Sequence, residues 1–70
     1  MKERMISYLY HKAEADREKA LGSLELLLDK AVGIGDHSTE DYYKNLDEAL
    51  DILVDARDRL DILNEYFPSP

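Results

Sequence analysis

The sequence predicts an all-α fold, a two-helix antiparallel hairpin that dimerises into a four-helix bundle. Three observations carry that expectation. The two prolines, Pro68 and Pro70, stand at the end of the chain, and Gly33 with Gly35 punctuates the middle, leaving two long uninterrupted segments. Both segments repeat apolar residues at alternating steps of four and three, the spacing of a heptad seam. And the two seams complement each other in size when the chain is folded back on itself.

The chain is read as one domain, residues 1–70, with a helix over about 2–32, a corner over 33–38 and a helix over about 39–67. In the first helix the seam runs through Ile6, Tyr10, Ala13, Arg17, Ala20, Leu24, Leu27 and Ala31. In the second it runs through Tyr42, Leu46, Ala49, Leu53, Ala56, Leu60, Leu63 and Phe67. Pairing residues whose numbers add to 73 stacks these as eight layers, from Ala31 on Tyr42 to Ile6 on Phe67. Five of the eight set Ala against a larger residue, which lets the layers interdigitate. A single seam does not require that match, so it argues for the hairpin.

The flanks follow from the register. Glu14 comes opposite Arg57 and Asp16 opposite Arg59, both pairs of opposite charge. On the Glu14 flank, nearer the corner, Leu28 faces Tyr43 and Leu21 faces Leu50, with Val54 beside them. A hairpin cannot cover this strip, and a contiguous exposed apolar strip marks an interface. Leu21, Leu28, Tyr43, Leu50 and Val54 are therefore the expected self-association surface, and the partner is a second copy of the chain.

The corner residues have helix-ending and helix-starting duties. Gly33 suits the left-handed residue after a helix, Ile34 would reach Leu28, and Lys30 sits in the last turn. Ser38 would cap the next helix, with Glu40 and Asp41 in its first turn. Asp36 and His37 are left without a structural role. The loop fits no phosphate-binding pattern, since it has no Gly-Lys-Ser/Thr and no strand precedes it. His11/Glu14 and His37/Glu40 share a His-x-x-Glu spacing, the reverse of the Glu-x-x-His of carboxylate-bridged metal bundles, and no seam position is a carboxylate. No metal or other cofactor is expected.

Charge and composition exclude further classes. The net charge is −7 and is uneven: residues 1–32 hold six bases and six acids, residues 39–67 three bases and nine acids. A nucleic-acid binder needs a basic patch to neutralise phosphates, and an anionic membrane selects for one too, so neither is expected as a direct partner. No run of about 18 apolar residues exists to span a membrane. The first ten residues lack the apolar core and cleavage site of a secretory signal, so a cytoplasmic location is expected. There is no cysteine, and Ser7, Ser23, Ser38, Thr39 and Ser69 show no triad spacing, so no enzyme is expected. Arg17 in the seam is read as a stem lying over Ala56 with its head reaching solvent near Asp16, Glu14 or an acid of the second helix.

Asp47, Glu48, Asp51, Asp55, Asp58, Asp61 and Glu65 cover the outer face of the second helix. Such stripes are commonly solvated faces. The sharper reading is an acidic surface for a basic host protein.

The run DKAVGIGDHS, with an acidic helix ending ARDRLDILNEYF, resembles small uncharacterised proteins of marine tailed phages of the cyanophage type, over about residues 28–67. The resemblance implies no activity and no functional residues. It implies a setting in an infected bacterial cytoplasm, where a phage accessory protein or a modulator of a host factor is expected. In shape the chain is also similar to the hairpin dimers that regulate plasmid copy number by binding RNA, without their basic face. The function expected is thus that of a small acidic non-enzymatic interaction protein. The alternative is an acidic nucleic-acid-mimicking decoy that occupies a host nucleic-acid-binding protein.

Overall fold

In the computed structural model, residues 1–29 and 39–68 are described, and they form two helices, α1 (Lys2–Asp29) and α2 (Thr39–Tyr66), of 28 residues each. Ala, Leu, Glu, Lys and Arg favour helix along both. The one helix-weakening residue inside is Gly22, on the outer face of α1, where an added Cβ would meet nothing within 4 Å. At the far end the Phe67 N–H donates to the Leu63 carbonyl at 2.8 Å, one bond beyond α2. Pro68 stops the helix there, because it disfavours helical backbone in the residue before it.

The helices lie against each other in opposite directions, in a rod 50 × 16 × 14 Å across. Two tyrosines mark the alignment. The Tyr10 hydroxyl of α1 lies 3.0 Å from Asn64 Oδ1 and 3.0 Å from the Phe67 carbonyl. The Tyr42 hydroxyl of α2 donates to the Leu27 carbonyl in the last turn of α1, where carbonyls run short of partners within the helix. Both contacts agree with the pairing in which residue numbers add to 73, which puts Tyr10 beside Leu63 and Leu27 beside Leu46.

The seam is the buried line. Ala13, Ala20, Ala49, Ala56 and Leu63 are buried, and Ile6, Tyr10, Arg17, Leu24, Leu27, Tyr42, Leu46, Leu53 and Leu60 are half-buried. Phe67 departs from the expectation: it stands just past the end of α2 and is 44 % exposed, on the rim of a groove that it lines with Ile6. The four alanines let the backbones approach closely. The larger seam residues stay partly open to solvent, and among the described residues no large side chain is fully enclosed. A third layer would be needed to cover them.

The corner lies outside the described residues. So do the expectations for Lys30, Ala31, Gly33, Ile34, Asp36, His37 and Ser38, and the last three residues of the expected first helix.

Candidate interaction surface

The two flanks of the seam carry different chemistry. On one, Glu14 and Arg57 line a shared groove of about 290 Å³ with Arg17 and Asn64. Glu14, Leu21 and Leu28 lie seven residues apart on α1, as do Tyr43, Leu50 and Arg57 on α2, so each set shares one helix face. This flank is polar toward the Tyr10 end and apolar toward the other. Its apolar half holds the expected strip: Leu21, Leu28, Tyr43, Leu50 and Val54 are all exposed, Leu21 the least at 37 %. Tyr43 stands edge-on to Tyr42, ring centres 6.3 Å apart and planes at 75°.

The other flank holds apolar residues that lie outside the seam. Leu9, Ile62 and Leu63 line a depression of about 140 Å³ near the Tyr10 end. Leu26, Leu27, Ala49 and Ile52 line one of about 300 Å³ toward the other end. Met5, Leu9, Leu26, Ile52, Ile62 and Tyr66 are all exposed. Their signal was present in the sequence, since each stands one position before a seam residue. A belt of ion pairs lies along the middle of this flank, and its Arg59 also lines the first depression. Lys12 Nζ lies 2.9 Å from Asp16 Oδ2, and Arg59 Nε lies 2.9 Å from Asp55 Oδ2. The hydrogen bond from Lys12 holds the Asp16 carboxyl below the usual carboxylate range, and the same bond raises the Lys12 ammonium above its ordinary value. The Arg59 charge also acts on Asp16 from across the seam.

The flank charges therefore face each other as expected, but the ion pairs form along the helices. Arg57 pairs with Asp61 at 3.9 Å and Glu14 meets His11 at 3.5 Å. Among the described residues no ion pair crosses from α1 to α2. The reason is reach: on a helix surface the i,i+3 and i,i+4 positions are near neighbours. Arg17 resolves similarly. Its side chain is 40 % exposed, with the guanidinium 3.8 Å from Glu18, the adjacent residue, and Ala56 is 0 % exposed.

A larger groove of about 740 Å³ opens at the Tyr10 end and includes Ser7, His11 and Glu14. A hydroxyl, an imidazole and a carboxylate in one groove are the group types of a nucleophile, base and orienting acid. However, no hydrogen bond joins His11 to Ser7, and the His11 side chain is 78 % exposed. A general base must reach the proton that it abstracts, and this imidazole stands in solvent. Among the described residues, no three His, Asp or Glu side chains gather as metal ligands would. Nor is any helix there long and apolar enough to cross a membrane.

The expected acidic face is exposed throughout: Asp47, Glu48, Asp51, Asp55, Asp58, Asp61 and Glu65 all stand in solvent. Asp55 and Asp61 are partly neutralised by Arg59 and Arg57. Comparison of the chain with protein-family models, with curated proteins and with solved structures gives no match.

Proposed function

We propose that this chain is a small acidic, non-enzymatic interaction module that works as a homodimer, with the Leu21, Leu28, Tyr43, Leu50 and Val54 strip covered by a second copy in a four-helix bundle. The observation that carries this reading is the surface left uncovered. The accessible surface is 5842 Å², against about 4,500 Å² for a compact monomer of this mass. The radius of gyration is 15.7 Å, against about 11 Å for a compact chain of this length. A standard interface takes about 800 Å² from each partner, less than the excess here. A hairpin whose buried residues, among those described, are four alanines and one leucine has little else to stabilise it.

Sedimentation equilibrium at micromolar concentration tests this. Twice the chain mass is expected, with Leu21→Asp and Leu50→Asp shifting the protein toward monomer because each would bury an unpartnered charge. A folded monomer over the whole range would overturn the reading.

The resemblance at the corner supports a setting among phage accessory proteins that modulate a host factor. The acidic face of α2 supports a second reading, a decoy that mimics nucleic acid toward a basic host protein. A decoy competes with DNA or RNA for its target and loses affinity steeply with salt, whereas an apolar interface tolerates salt.

A further inference from the structure

Resting on the homodimer reading, we propose how the two copies are arranged: side by side with their Asp29 and Thr39 ends together, α1 of each copy lying along α2 of the other, related by a two-fold axis along the rod. The argument turns on the uneven flank. Its apolar half lies toward the Asp29 and Thr39 ends, and its polar half, with Glu14, Arg57 and Asn64, toward the Tyr10 end.

A two-fold along the rod keeps like halves level. It sets Leu21 of one copy against Leu50 of the other and Leu28 against Tyr43. It also sets Glu14 of each copy against Arg57 of the other, so the polar half carries two ion pairs between copies. Turning the second copy end for end instead lays Glu14 over Leu21 and Arg57 over Leu50. That arrangement strips water from charges against apolar surface, which is strongly unfavourable.

The state of these charges supports the choice. Glu14 and Arg57 have only loose partners on their own helices, at 3.5 and 3.9 Å, and their side chains are 48 % and 81 % exposed. On the opposite flank the central charges are already held at 2.9 Å, by Lys12 on Asp16 and by Arg59 on Asp55. Covering that flank would bury a satisfied charged belt between two separate apolar patches. At the rim of the proposed interface Glu25 comes level with Asp47 of the other copy; both are exposed and stay hydrated there.

The chain has no cysteine, so single-cysteine variants report geometry without background. Glu14→Cys mixed with Arg57→Cys and mildly oxidised is expected to give a covalent dimer on a non-reducing gel, and Glu14→Cys mixed with Leu21→Cys is not. The opposite pattern, from protein that sediments as a dimer, overturns the arrangement but leaves the homodimer reading standing. A monomer in the same sedimentation run overturns both. A second measurement avoids cysteine chemistry. Glu14→Arg mixed in equal amount with Arg57→Glu is expected to give heterodimer above the statistical half, since each homodimer sets like charges together. A purely statistical mixture overturns the proposal. So does a dimer that Ile62→Asp, on the opposite flank, dissociates while Leu50→Asp leaves it intact.

Discussion

The Tyr10 hydroxyl on α1 lies 3.0 Å from Asn64 Oδ1 on α2, joining residues 54 positions apart in the chain. The Phe67 carbonyl lies at the same distance, and the one phenolic proton serves either acceptor. This contact, with Tyr42 on Leu27 toward the other end, ties the two helices by hydrogen bonds near both ends of the rod. Tyr10→Phe removes the proton and keeps the ring. It is expected to cost about 0.5–1.5 kcal/mol, toward the low end because the acceptors are exposed. Urea unfolding checks this, and an unchanged midpoint would mean that the hydrogen bond contributes nothing to holding the helices together.

Ala56 is the most buried residue of the seam, and the close approach of the helices depends on its size. Ala56→Leu is expected to destabilise by about 1–3 kcal/mol through overpacking. Asp51→Ala, on the exposed outer face, is expected to stay within about 0.5 kcal/mol of the parent. Thermal unfolding followed by circular dichroism compares the two. Equal melting temperatures would contradict the assignment of the seam.

Gly22 offers the reverse effect. It lies within α1 with open space where a Cβ would go. Gly22→Ala is expected to stabilise by about 0.5–1 kcal/mol by removing backbone freedom from the unfolded chain. A lower melting temperature would show that the position is more crowded than the open space around it implies.

The Lys12–Asp16 pair gives a pH-dependent expectation. Asp16 is held below the usual carboxylate range by the Lys12 hydrogen bond, so its contribution is present above its ordinary value and is lost as pH falls through the lowered one. Lys12 is raised by the same bond, so its contribution is present below the ordinary lysine value and is lost only as pH rises through the raised one. The pair is therefore intact around neutral pH. Lys12→Ala is expected to move the Asp16 titration back upward, read from its carboxyl carbon shift by NMR. An unmoved midpoint would show that the bond is not the cause.

How much of this could be read from the sequence divides by the range of the physics involved. Helix existence, the seam and the pairing of its layers follow from side-chain periodicity and size, and the described seam residues other than Phe67 are buried or half-buried where that pattern put them. Phe67 escaped the pattern because a local effect, the proline after it, ended the helix first. The exposed strip was legible because it continues the same period one position off the seam. Met5, Leu9, Leu26, Ile52, Ile62 and Tyr66 also stand one position off the seam, on the other flank, and the expected strip did not include them. The tertiary structure adds which charges on each flank are already satisfied. Sequence spacing set Asp16 opposite Arg59 and Glu14 opposite Arg57, but side-chain reach closes Lys12 on Asp16 and Arg59 on Asp55 along their own helices and leaves Glu14 and Arg57 only loosely partnered. The depth of the core was also a tertiary outcome. Periodicity names the residues that face inward, but two helices brought close by alanines can only half-cover the leucines between them.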